Sequence, residues 1–172
     1  MIFGARQLFA VEIELNENHG GAWLFGKICY WIKGSRVGNF EEGTSLRDVL
    51  MAAKWIEHDH RRREGGALCG LEPNAAFLAI DAAFGVATQD MPGDVETPAR
   101  FNICPEDVTF KGWRIYLVEC GDQEMILYKH ANDASLSVGI MQRGVFEAAF
   151  HSAYATIDSW HEMEEGGLSV WV

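Results

Sequence analysis

The hydrophobic period of the chain changes between residues 40 and 46, and that change limits the fold more than any other feature. Upstream, "FAVEIELN" (9–16) alternates strictly, with Val11, Ile13 and Leu15 on one side and Glu12 and Glu14 on the other. That is the pattern of a half-buried strand. "AWLFGKICYWIKGSRVGNF" (22–40) is rich in aromatic and β-branched residues. Gly34-Ser35 inside it reads as a tight hairpin turn between strands at about 22–33 and 36–40. Downstream, in "EEGTSLRDVLMAAKWIEHDHRRREGG" (41–66), Leu46, Val49, Leu50 and Ala53 recur at helical spacing. Ser45 with Asp48 resembles a capping box with Asp in place of Glu. The expected helix runs from about 45 to 63, closed by Arg61, Arg62 and Arg63 and stopped by Gly65-Gly66.

Strands first and helices later define an α+β chain rather than an alternating α/β one. A second helix is expected at 73–84, starting at Pro73 and ending near Gly85. Residues 85–100, with Pro92, Gly93 and Pro98, read as a loop. "RFNIC" (100–104) offers a short strand. "GWRIYLVECGDQEMILYKH" (112–130) is a hairpin around Gly121-Asp122, and "LSVGIM" (136–141) adds a strand. From Gly144 to about Glu165 the spacing is helical again, and Gly166-Gly167 reads as its stop. The expected architecture is one α+β domain over residues 1–172. It has a mostly antiparallel sheet of about five to six strands, a helix after the third strand and a long C-terminal helix.

A chain of 172 residues can bury enough apolar surface to fold without metals or disulfides. Cys29, Cys69, Cys104 and Cys120 form no C-x-x-C pair and sit among apolar or small neighbours, so four reduced, mostly buried thiols are expected. Met1–Leu15 carries no signal-like apolar core, and no run reaches the ~18 apolar residues of a membrane helix. A cytoplasmic protein with no membrane partner is expected. The formal net charge is −11, which argues against a general phosphate footprint and hence against nucleic acid as partner. The charge is also segregated. Residues 27–63 carry eight Lys/Arg against five Asp/Glu, whereas 64–99 carry six acids and 144–172 five, both without Lys or Arg. Such segregation points to a cationic partner.

The motifs that carry chemistry are absent or broken. "HEMEE" (161–165) begins like the zinc-protease helix motif, but Glu165 stands where the second histidine should be. His58 and His60 in "HDHRRR" would lie about 200° apart on a helix and could not share a metal. No G-x-S-x-G, P-loop or dinucleotide-binding glycine pattern is present. Nothing nominates a nucleophile, a metal or a cofactor.

The last helix shows more on a helical wheel. With Phe146 at zero, Ala149, Phe150, Ala153, Ile157 and Trp160 all fall within about 60° of it and form the core stripe. Glu147, His151, Asp158, Glu162 and Glu165 gather on one flank, about 100–160° from Phe146. Glu164 falls on the core side, where fraying is expected. Acids near a helix C-terminus cost about 0.3–1 kcal/mol each. The flank is either an ordinary solvated face or an electrostatic docking surface. Asp90, Asp94 and Glu96 in the acidic loop are candidates for the same surface. In the first helix Met51 and Trp55 lie opposite the core stripe. Either another element covers them, or they form an exposed apolar anchor of the kind interfaces favour.

"GGAWLFGKICYWIKGSRVGNFEEGTSLRDVL" (20–50), with "MIFG…FAVEIEL", "GWRIYLVE" and "GVFEAAFHSAY", resembles the bacterial immunity protein 42 family. Members of that family resemble antidotes of polymorphic toxin systems, including contact-dependent inhibition systems. The resemblance is densest at "WLFGKICYWI", "GSRVGNF" and "GTSLRDVL", weakest over 64–100, and carries over no functional residues. It implies a non-enzymatic cytosolic protein that binds and inhibits a cognate toxin domain. The acidity points to a basic toxin, with a nuclease the expected class; a monomeric antidote is expected. The alternative is a small cytosolic metal- or His-dependent hydrolase using some of His58, His130, His151 or His161; a structural subunit of a larger complex is a third reading.

Overall fold

The computed structural model of the protein describes residues 1–85 and 98–168. The α+β, antiparallel class expected from the sequence is the class observed. The strands form two separate sheets, and the chain divides into two compact units interleaved in sequence. The first unit takes residues Met1–Glu57, Pro105–Lys111 and the chain from Val145 onward; the second takes His58–Cys104 and Gly112–Gly144.

In the first unit, β1 (Ile2–Gly4), β2 (Phe9–Leu15), β3 (Phe25–Ile32) and β4 (Ser35–Val37) pair antiparallel in that order, and β5 (Thr44–Ser45) pairs with the start of β3. Register explains the alternation of "FAVEIEL". Phe9 faces Ile32, Val11 faces Tyr30 and Ile13 faces Ile28, and all six are buried. Between them Glu12 pairs with Cys29 and Glu14 with Lys27 on the other face. There Glu12 accepts from Trp31 Nε1 (2.6 Å) and Arg6 (2.9 Å), and Lys27 reaches Glu14 at 3.0 Å. The β3–β4 turn is Lys33-Gly34, one residue earlier than expected. Both residues have positive φ, 51° and 83°, as a two-residue turn matched to strand twist requires.

Two helices cover the buried face of this sheet. Helix α1 (Leu46–His58) starts where expected: the Ser45 hydroxyl oxygen accepts the Asp48 N–H at 3.2 Å. Asp48 does not complete the box, because its carboxylate binds Arg47 instead. Helix α4 (Val145–Leu168) lays Phe146, Ala149, Phe150, Ala153 and Ile157 on the sheet, as the wheel predicts; Trp160 at the end of the stripe is half-buried. Phe146 and Phe150 join Phe9, Tyr30 and Phe110 in one aromatic cluster with ring centroids 4.8–6.5 Å apart. Burial of each such ring is worth about 1.5–3 kcal/mol, and each tilted pair about 0.5–1.5 kcal/mol beyond that. Residues of α1, α4 and the sheet meet around a cavity of about 10 Å³, lined by apolar groups such as Ile28, Leu50 and Ile157. That space is too small for a ligand.

Two helix ends differ from expectation. Helix α1 stops at His58, not near 63. Arg62 N–H closes a turn on Asp59 C=O (3.0 Å), and Arg61 takes a left-handed φ of 60°, so the helix cannot continue. Helix α4 runs through Gly166 to Leu168, because Gly166 stays helical instead of taking the left-handed conformation that makes glycine a stop.

In the second unit, β6 (Trp113–Cys120), β7 (Gln123–His130) and β8 (Ser137–Gln142) form an antiparallel meander with the expected turn at Gly121-Asp122. Its core gathers Leu68 of α2 (Gly66–Cys69), Phe77 and Ile80 of α3 (Pro73–Gly85), and Phe101, Tyr116, Val118 and Leu127. "RFNIC" is not a strand: Pro98–Phe101 is a 3-10 turn, followed by a single bridge from Asn102 to Tyr116. Arg63, expected at a solvated helix end, is buried, and its carbonyl accepts the Glu119 N–H at 2.8 Å. Arg143 bridges buried Glu119 (2.8 Å) and exposed Glu64 (2.9 Å). That arrangement keeps a carboxylate out of water without leaving its charge uncompensated.

The expectation of four reduced thiols is overturned by a disulfide between Cys69 of α2 and Cys120 at the end of β6. Fifty-one residues separate them, and only the tertiary fold brings them together. Cys29 and Cys104 stay outside the disulfide, and burial pushes the Cys29 thiol up to about 12, so it is an inert core thiol.

Two measurements follow. Chain entropy alone assigns about 4 kcal/mol to a crosslink closing a loop of this length. Reducing agent and Cys69→Ser should therefore lower the thermal midpoint by the same amount; a midpoint insensitive to both contradicts the crosslink. The Tyr116 hydroxyl is held above its ordinary range, first by burial, then by its hydrogen bond to Asp81 (2.9 Å) and by that carboxylate's charge. A raised folded value favours the protonated phenol, so this contribution is complete below about pH 10 and is lost as pH rises above it. Denaturant titrations at pH 8 and 11 should show a shallower alkaline loss in Tyr116→Phe than in the parent; equal losses would remove Tyr116 as the cause.

Candidate functional site

The acid flank of α4 is real in three dimensions. Asp158, Glu162 and Glu165 are exposed, His151 is exposed, and Glu147 is half-buried in the first turn, where the helix dipole favours an anion. His151 Nδ1 lies 2.5 Å from Glu57 of α1, so the flank adjoins α1 at that point. Tyr154 registers the local field: its hydroxyl is raised by burial first, then by the charges of Asp158 and Glu57.

The C-terminal end of the flank is more ordered than the wheel suggests. Glu164, expected to fray, accepts or shares a hydrogen bond with His19 Nε2 at 3.0 Å. Buried His161 lies 3.7 Å from Glu165, one turn on. Two of the three terminal glutamates thus have histidine neighbours.

Met51 and Trp55 are 53% and 70% exposed, on the face of α1 opposite its core stripe. Glu57, two residues on, points about 160° away from Trp55, so α1 shows an apolar stripe on one side and meets the acid flank on the other. Asp90, Asp94 and Glu96 lie outside the described residues.

Sequence reading missed three residues that extend this stripe. Trp23 and Phe25 are 49% and 45% exposed, and their rings stack in parallel with centroids 6.2 Å apart. The Arg47 guanidinium lies 3.7 Å above the Trp23 ring. Arg47, Met51 and Trp55 recur every four residues along α1. The stretch 22–33 reads as one strand, but Gly21–Trp23 is a 3-10 turn and β3 begins only at Phe25. The usable signal was Gly20-Gly21 one residue before a Trp-Leu-Phe triplet: a turn there buries Leu24 and turns both aromatics outward.

The histidines of the hydrolase alternative have local partners instead of a shared centre. His151 meets Glu57, His161 meets Glu165, and His130 Nδ1 accepts the Asn132 N–H at 3.2 Å. Among the described residues no group of three or more His, Cys, Asp or Glu side chains is placed to hold a metal ion. An open concavity of about 490 Å³ in the second unit is lined by Asp59, Arg61, Arg62, Glu64, Ala99 and Arg100, with no histidine or nucleophile among them. No helix among the described residues is long and apolar enough to cross a membrane.

The chain is similar to CdiI from Burkholderia dolosa AUO158, whose crystal structure superposes with a TM-score of 0.70 over 91% of this chain and 99% of that one. At 20% identity that likeness concerns the fold. No curated protein sequence matches. The sequence profile described as immunity protein 42 matches residues 1–156, nearly the whole of the strand-and-helix framework above. The chain belongs to the immunity protein 42 family.

Proposed function

We propose that this immunity protein neutralises its cognate toxin by binding, not by catalysis, and that it docks a basic toxin domain on the acid flank of α4. Glu147, His151, Asp158, Glu162 and Glu165 form the flank; Met51 and Trp55 supply apolar contact; Asp90, Asp94 and Glu96 belong to the same proposal. The setting is the cytoplasm of the toxin-producing bacterium, with the antidote acting as a monomer. A nucleic-acid-cutting toxin suits this surface, because an enzyme that grips phosphates presents cations that carboxylates can engage in their place. The supporting observation is the row of exposed carboxylates Asp158, Glu162 and Glu165 on an ordered helix that carries no basic residue in its last turn.

Such a field acts mainly on encounter and raises association toward about 10⁸–10⁹ M⁻¹s⁻¹ at low salt. The cognate toxin domain, taken from the reading frame beside this one, is the probe. Asp158→Lys with Glu162→Lys should slow association about tenfold or more at low ionic strength, with the gap closing as salt screens it. An on-rate unchanged at every salt concentration would move the docking face elsewhere. Rescue of growth on co-expression with that toxin tests neutralisation itself.

A further inference from the structure

We propose that Phe25, Trp23 and Arg47 form a preassembled aromatic ladder which, continued by Met51 and Trp55, is the energetic anchor for the toxin. The proposal rests on the toxin-binding reading above and assigns the anchor to a surface distinct from the acid flank. Its occupant is a basic protein domain presenting an apolar recess, with a carbonyl or carboxylate at the edge to receive Arg47.

The ladder is built at some cost to the local backbone. Gly20, Gly21 and Leu24 all take left-handed conformations, with φ of 71°, 61° and 53°. For leucine that region is unfavourable, and such outliers persist only where the surroundings over-determine them. Here they do. Leu24 is fully buried, its N–H donates to Gly21 C=O (2.9 Å) and its C=O accepts from Leu46 N–H (3.0 Å). Trp23 C=O accepts the Ser45 hydroxyl at 2.8 Å, and Phe25 N–H donates to His19 C=O at 2.8 Å. A Cβ on Gly20 would sit 2.8 Å from the Phe25 ring, so only glycine lets the ring lie there. The strained turn buries one leucine and lifts the aromatics on either side of it into solvent. A turn serving stability alone would do the reverse.

Arg47 completes the stack. Its Nε and Nη2 donate to Asp48 Oδ1 at 3.1 and 2.8 Å, which helps hold the guanidinium over the Trp23 ring. Nη1 makes no hydrogen bond among the described residues and is the donor left for a partner. Trp and Arg in rigid, stacked arrangements are the residue types that dominate interface energies, because little side-chain freedom remains to be lost on binding. The ladder also touches the acid flank's helix, since His19, in the same turn, binds Glu164. Carboxylates therefore border an apolar surface, which fits a partner that is basic around an apolar centre.

The test uses the full chain and the cognate toxin domain in a kinetic binding assay. Trp55→Ala, Trp23→Ala and Arg47→Lys should each speed dissociation, about 30-fold or more for the two tryptophans, with little change in on-rate or its salt dependence. Trp55 is on the outer face of α1, so Trp55→Ala remains informative if Trp23→Ala disturbs the turn. Dissociation within twofold of the parent in folded variants would overturn the anchor while leaving toxin binding intact. A parent chain that does not bind the toxin would overturn both. A concentration-dependent dimer that Trp55→Ala abolishes, without effect on toxin dissociation, would assign the ladder to a second copy of this chain and overturn the proposal.

Discussion

The packing of Phe146 and Phe150 against Phe9 and Tyr30 holds the first unit in register. A helix has one core face, and once those rings are seated every other side chain of α4 has its direction fixed. The two-residue pleat of β2 and β3 presents Val11, Ile13, Ile28 and Tyr30 to the same face, so α1 must lie there too. The exposed chemistry of the unit is what this packing leaves outside: a flank of carboxylates on α4 and an apolar stripe on α1.

These two surfaces suit different parts of one binding event. Carboxylates in water contribute little to the lifetime of a complex but govern how often partners meet in the right orientation. Stacked aromatics contribute little at a distance but much once water is excluded. An antidote must act before its toxin reaches a substrate and then stay bound. In the proposed binding both demands fall chiefly on residues of α1 and α4, which belong to the first unit, whereas the Cys69–Cys120 disulfide belongs to the other.

Much of the fold was legible because it rests on local periodicity. The alternation in 9–15, the hairpin at Gly121-Asp122, the start of α1 at Ser45 and the apolar stripe of α4 are all set by residues within a few positions of one another. What escaped sequence reading depends on partners distant in the chain. Arg63 looked solvated beside Arg61 and Arg62, and only the approach of the Glu119 strand shows why it is buried. Cys69 and Cys120 look unrelated until α2 reaches the end of β6. Glu164, on the core side of the wheel, has no visible partner in its own helix; its partner, His19, comes from the other end of the chain. Within the candidate site, the acid flank was readable as a helical stripe. The aromatic ladder was not, because a continuous apolar run hides which of its members a strained turn has pushed outward.

The central claim is that the toxin is met by the outer surfaces of α1 and α4. Hydrogen–deuterium exchange of the full chain, with and without its cognate toxin domain, tests this most directly. The account predicts added protection in the segments around residues 19–25, in α1 and along α4. Protection confined to residues 58–85 and 112–144, with those segments unchanged, would contradict it.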